Sequence, residues 1–113
     1  MNTGPDRLDA LIAAPETHSL LFENDDVRVI ATRIAPGETT ALHTHCWPQV
    51  MVVDSFSDFV RRDDSGYVVA DSRGAAPPQP GAAVWLEALP PHTLENVGDE
   101  YIRVIGVEVK KTR

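Results

Sequence analysis

Short runs of β-branched, aromatic and other apolar residues alternate with turn clusters along most of this chain, and this pattern constrains the fold more than any other feature. Asn24-Asp25-Asp26 and Asp63-Asp64-Ser65-Gly66 are typical turn clusters. The predicted strands cover residues 19–23, 27–34, 39–45, 50–54, 58–62, 67–70, 82–86, 92–97 and 101–109. The proline-rich residues 72–80 are predicted to form a surface loop, and residues 89–91 a turn. Many short strands without alternating helices predict an all-β sandwich or barrel of antiparallel strands.

The amino-terminal segment, residues 1–16, differs from the rest because it reads as a short helix. Asp6 is the predicted N-cap, Asp9 falls in the first turn, and Pro15 ends the pattern. An isolated helix of this length is not stable in water. We therefore expect its apolar face to pack on the outside of the sheets.

His43 and His45 form a His-Thr-His sequence inside a strand-forming segment. Residues i and i+2 of a strand point to the same face, so both imidazoles can reach one metal ion. His92 lies in a second predicted strand and could complete a set of three ligands. Imidazole binds Fe, Mn, Ni, Cu and Zn, and three nitrogen ligands leave positions open for water or substrate. The alternative is that these histidines only satisfy hydrogen bonds in a polar barrel mouth.

The spacing of these residues resembles the two motifs of the cupin superfamily. The first motif is matched by Gly37, His43, His45 and Gln49, with Gln49 where cupins usually have glutamate, and the second by Gly81, His92 and Asn96. The resemblance extends over residues 20–110. It implies a single cupin-like domain over residues 1–113, folded as a double-stranded β-helix, the jelly-roll barrel.

The resemblance also implies a mononuclear metal site. A three-histidine set without the acid is similar to that of small cupin iron dioxygenases that cleave diketones or oxidise thiols. The expected function is therefore a metal-dependent dioxygenase or oxidoreductase acting on a small anionic chelating substrate, with Fe(II) favoured and Mn, Ni, Zn or Cu as other candidates. The alternatives are a non-catalytic small-molecule binding or sensing cupin, and an isomerase acting on a sugar-like substrate, which would need a general base.

Other residues near the histidines are candidates for the site or its pocket. Gln49 could bind the metal through its amide oxygen or hydrogen-bond a bound water or ligand. Trp47, Met51 and Trp85 are large apolar residues able to line a pocket. His18 belongs to no cluster in the sequence and is expected to be exposed to solvent.

Charge and composition restrict the partners. The formal charge of −7 argues against binding to a nucleic-acid backbone, which requires clustered Lys and Arg. The sequence contains no run of about 20 apolar residues, so no membrane span is predicted. The amino terminus does not resemble a signal peptide, and the single cysteine, Cys46, fits a reducing compartment, so a cytoplasmic location is expected. A homodimer in contact through residues 19–23 is also expected, because an exposed edge strand needs a cover.

Overall fold

The computed structural model describes residues 7–110, which form one short helix and nine strands. In chain order these are α1 Ala10–Ala13, β1 His18–Glu23, β2 Val27–Ile34, β3 His43–His45, β4 Gln49–Ser55, β5 Phe59–Asp63, β6 Val68–Asp71, β7 Ala83–Leu86, β8 Leu89–Asn96 and β9 Ile102–Val109. No helix among these residues has the length and apolar character needed to cross a membrane.

The strands form two antiparallel sheets. One has five strands in the order β1-β2-β9-β4-β7, and the other has four in the order β3-β8-β5-β6. A cavity of about 510 Å³ is lined by residues of both sheets, so their inner faces lie opposite each other. The predicted all-β, two-sheet architecture is confirmed, and the predicted loop at residues 72–80 lies outside the strands.

The strand registers decide which side chains reach this cavity. In β4, Gln49 and Met51 face inward, and they pair with Glu108 and Gly106 of β9. In β2, Thr32 and Ile34 face inward. Side chains paired across antiparallel strands lie on the same face of the sheet, so each inward row continues from strand to strand.

The helix is shorter than predicted and begins later. Asp9 is its N-cap rather than a first-turn residue, and the Asp9 carboxylate accepts a hydrogen bond from the Leu11 amide at 3.2 Å. Before the helix, the chain runs beside β3, where the Thr44 amide donates to the Leu8 carbonyl at 2.6 Å. The predicted N-cap, Asp6, lies outside the described residues.

The predicted turn at residues 89–91 is wrong, because β8 runs through Pro90 and Pro91. The register between β3 and β8 is irregular there, since His43 pairs with His92 but His45 pairs with Leu89. The two prolines therefore lie opposite the irregularity, where an N–H donor is not required for the ladder.

Candidate metal centre

Four histidines meet between the two sheets. His43 and His45 come from β3, His92 from β8 and His18 from β1. The ring centroids of His43 and His92 are 4.3 Å apart, those of His18 and His43 are 4.6 Å apart, and those of His43 and His45 are 5.1 Å apart. All four residues are buried. The prediction that His43, His45 and His92 come together is confirmed.

His18 was expected to be exposed and outside the cluster, and both expectations are wrong. Its side chain is buried, because β1 pairs with β2 so that His18 lies opposite Thr32, a residue of the cavity wall. One ring nitrogen from each of His18, His43 and His45 lies within 4.8 Å of the others. Nitrogens that bind one ion at about 2.1 Å are at most about 4.2 Å apart. A small shift of the side chains would therefore let these three nitrogens bind the same metal ion.

The hydrogen bonds of His43, His45 and His92 leave the same ring nitrogen available on each. The Nδ1 atoms lie next to these oxygens: Ala14 O at 3.2 Å from His18, Ala41 O at 2.7 Å from His43, Glu108 Oε2 at 3.2 Å from His45, and Pro90 O at 2.8 Å from His92. Carbonyl and carboxylate oxygens only accept, so the Nδ1 atoms of His43, His45 and His92 carry the proton and donate. The Nδ1 of His18 also lies 2.9 Å from the Thr17 hydroxyl, which can donate to it or accept from it. In the other three rings the lone pair is on Nε2, which is the arrangement found in metal-binding histidines.

Burial also keeps the rings in the form that binds metal. It lowers the pKa of His18 and of His92 to about 3 and the pKa of His43 to about 4, and the neighbouring histidines add to each shift. These three rings are therefore neutral at pH 7. Metal binding does not have to compete with their protonation near neutral pH.

A buried ionic network of Asp9, Arg28 and Glu108 contacts the histidine cluster through His45. The guanidinium of Arg28 donates to Glu108 Oε1 at 2.7 Å and to both carboxylate oxygens of Asp9, at 2.7 Å and 3.1 Å. Glu108 uses its other oxygen for His45. Burial disfavours the charge on Arg28, but the hydrogen bonds to Asp9 and Glu108 outweigh burial and raise its pKa. The network therefore holds Glu108 in the position that orients the His45 ring.

Gln49 lies in the wall of the cavity but in the sheet opposite β3. It is buried on β4, and Pro48 separates that strand from β3. A side chain at Gly106 would collide with the amide oxygen of Gln49, so the glycine makes room for it. Gln49 thus faces the cavity that the histidines also line.

Of the three predicted pocket residues, only Met51 lines the cavity. Trp47 lies elsewhere, with the Arg28 guanidinium 4.9 Å from its ring centroid and the Lys110 ammonium at 5.6 Å. Trp85 is 52% exposed because it pairs with Val50 on the outer face of the sheet. Its indole nitrogen donates to Glu87 at 2.6 Å. The predictions for Trp47 and Trp85 are therefore wrong.

The donor set fits a divalent transition metal. It consists of buried imidazoles, and those of His43, His45 and His92 have Nδ1 held by an oxygen and Nε2 available. Borderline nitrogen donors of this kind suit the metals from Mn to Zn. The cluster therefore suggests a divalent metal, without selecting one among them.

Comparison with known proteins reveals structural but not sequence relatives. No family model matches the sequence, and no curated protein matches it. A cupin domain from Bordetella pertussis Tohama I has a TM-score of 0.67 at 20% identity, over 83% of this chain and 92% of that one. A Klebsiella pneumoniae protein with a double-stranded β-helix domain has a TM-score of 0.55 at 22% identity, over 82% and 75%. The polyketide cyclase RemF from Streptomyces resistomycificus has a TM-score of 0.55 at 20% identity, over 88% and 68%.

These similarities agree with the topology of the two sheets. The four-stranded and five-stranded sheets enclose one cavity, as expected for a jelly-roll barrel. The chain therefore has the cupin double-stranded β-helix fold that its motif spacing predicts.

Proposed function

We propose that this protein binds one divalent transition metal and acts as an oxygenase on a small anionic substrate that chelates the metal. The proposed ligands are His43, His45 and His92, with Gln49 beside them, and Fe(II) is the favoured ion. One observation carries the proposal: buried histidines with free Nε2 atoms line a cavity of about 510 Å³ whose other walls are mostly apolar. An open nitrogen-ligand site in such a cavity is typical of a catalytic metal.

In the proposed oxygenase, the metal site would hold the charged group of the substrate, and the apolar walls of the cavity would hold its body. A bound divalent metal would act as a Lewis acid and hold the chelating oxygens of the substrate. Neutral histidines leave the charge of the ion undiminished, which favours an anionic ligand such as an enolate or a carboxylate. Apolar side chains such as Ile34, Phe59 and Leu94 would pack on the body of the substrate and exclude water.

A second candidate is an oxygen-independent cyclase, and the position of His18 favours it. Three histidines would leave three positions of an octahedron, enough for a chelating substrate and a further reactant. A fourth histidine leaves two, which the chelating substrate fills alone. RemF, a protein of the same fold, is a polyketide cyclase. Polyketides contain 1,3-dicarbonyl groups, which chelate divalent ions as enolates.

Oxygen consumption separates the two candidates. The metal-loaded protein would be incubated with a panel of 1,3-diketones and thiols in an oxygen electrode and, in parallel, under nitrogen. The oxygenase proposal expects metal-dependent oxygen uptake that stops when a chelator is added. Metal-dependent product formation under nitrogen would contradict it and support the cyclase.

We expect Gln49→Glu to change metal affinity and anion affinity in opposite directions. A carboxylate facing the cavity pairs with a divalent ion far better than an amide does, so metal affinity should rise about tenfold or more. The same change lowers the positive charge of the loaded site, so affinity for an anionic chelator should fall. Two calorimetric titrations measure this, one with metal into the chelator-treated protein and one with acetylacetonate into the loaded protein.

Gln79→Glu is the matched control for this experiment, because Gln79 is exposed in the loop between β6 and β7. It adds the same charge at a solvated position, where both affinities should stay unchanged. Unchanged affinities in a folded Gln49→Glu protein would remove Gln49 from the metal surroundings and with it the charge argument.

We also propose a homodimer that covers β1. This strand is at the edge of the five-stranded sheet and leaves Leu20, Leu21 and Phe22 about half exposed. An exposed apolar edge strand needs a cover, and two-fold dimers are the commonest assembly. Light scattering should give the mass of two chains, and Leu21→Lys should shift it toward one. A wild-type protein that stays monomeric at high concentration would contradict the proposal.

A further inference from the structure

Arg61 faces the same cavity as the histidines. It lies on β5 and pairs with Leu94 of β8, two residues from His92, so all three side chains share one face of the four-stranded sheet. Arg61 and Leu94 both line the cavity wall. The positive charge of Arg61 is therefore directed inward rather than toward bulk water.

The guanidinium of Arg61 lacks the carboxylate partners that Arg28 and Arg62 have. Among residues 7–110, its Nε is the one buried side-chain polar atom without a hydrogen-bond partner. Arg28, by contrast, binds two carboxylates, and Arg62 donates to Glu95 at 2.9 Å. Phe59 contacts Arg61 with its ring, 5.6 Å from the guanidinium carbon, but offers no acceptor. A buried donor left without an acceptor in a native protein calls for a missing partner, and a ligand can provide one.

The charge around Arg61 indicates what that ligand is. No aspartate or glutamate is among the described residues that line the cavity, so Arg61 supplies the formal charge of its walls. The formal charge of the described lining residues is thus positive in a chain of net charge −7, which favours entry of an anion.

We propose that Arg61 binds the carboxylate of a small monocarboxylic acid whose apolar body fills the cavity. The planar guanidinium matches a carboxylate with two parallel hydrogen bonds. A single cation in a mostly apolar wall suits one negative charge better than the two of a phosphate monoester. The inference deepens the proposed function, since it identifies the substrate of the metal site as a carboxylic acid held at a second point.

The test compares phenylacetate with its neutral analogue phenylacetamide by calorimetric titration into chelator-treated protein. Wild type is expected to bind the acid at least tenfold more tightly than the amide. Arg61→Met, which keeps the length of the side chain and removes its charge, should abolish this preference, and Arg61→Lys should keep part of it. Arg62→Met is the matched control, since Arg62 is on the same strand but pairs with Glu95 outside the cavity, and it should keep the full preference.

A separate metal titration distinguishes failure of this inference from failure of the proposed function. Arg61→Met should bind divalent metal as well as wild type or better, because a cation near His43 and His92 has been removed. An acid preference that Arg61→Met loses, measured without metal, supports the inference even if no metal binds. Equal binding of acid and amide by wild type, or a preference that persists in folded Arg61→Met, would overturn it.

Discussion

Replacing His43, His45 or His92 by alanine is expected to remove nearly all of the bound divalent metal. The wild-type protein should contain about one metal ion per chain, because the four histidines form one cluster. Loss of a metal ligand should cost more than loss of a residue that only orients a ligand, which lowers affinity roughly 10–100-fold, so metal affinity should fall by more than about 100-fold. Elemental analysis of tag-free protein, with circular dichroism as a check on folding, measures the effect.

His18→Ala tests whether the fourth histidine also binds the metal. With its ring nitrogen within 4.8 Å of those of His43 and His45, we expect this variant to lose metal affinity as well. Thr32→Ala is the control, because Thr32 lies opposite His18 in the cavity wall and offers no imidazole. Full metal occupancy in folded His92→Ala would exclude His92 as a ligand, and full occupancy in His18→Ala would restore the three-histidine interpretation.

The convergence of His43, His45 and His92 could be predicted because it depends on local and repeated features. His43 and His45 share a face through the two-residue period of a strand. The cupin-like spacing places His92 beside them, and in the structure it pairs directly with His43. Periodicity and motif spacing were thus sufficient for the fold class and for three of the four histidines.

His18 could not be predicted in the same way, because no local pattern connects it to the others. It reaches the cluster through the pairing of β1 with β2, which positions it opposite Thr32. Register between strands depends on packing across the whole sheet, and a single isolated histidine carries no spacing that reveals it.

Trp85 and the network around Arg28 are two further features that could not be predicted from the sequence. Residues 82–86 are apolar throughout, so alternation does not reveal which face of β7 Trp85 occupies; pairing with Val50 turns it outward. Asp9, Arg28 and Glu108 are far apart in the sequence, and only the closed barrel brings their charges together. Neither feature has a local signature.

Glu108→Gln is expected to lower both the stability of the fold and its affinity for metal. Glu108 accepts from Arg28 at 2.7 Å and from His45 at 3.2 Å, using one oxygen for each. An amide has a single oxygen, so if that oxygen faces Arg28, its NH₂ group opposes the Nδ1–H of His45. The ring must then move its proton to Nε2 or turn away, and the lone pair for the metal is lost. Metal affinity should fall roughly 10–100-fold.

The stability effect follows from the buried charge that remains. Arg28 keeps Asp9 but loses one of its two carboxylates in a site without solvent, and breaking such a pair costs about 3 kcal/mol. For a small domain this is a large part of the free energy of unfolding and should lower Tm by roughly 10–20 °C. Glu95→Gln is the matched control, since it breaks the partly exposed Arg62–Glu95 pair and should cost less than about 1 kcal/mol. A Glu108→Gln protein that is as stable as Glu95→Gln and keeps its metal would contradict this prediction. Glu108 would then neither neutralise Arg28 nor orient His45, and only the backbone carbonyls would orient the histidine rings.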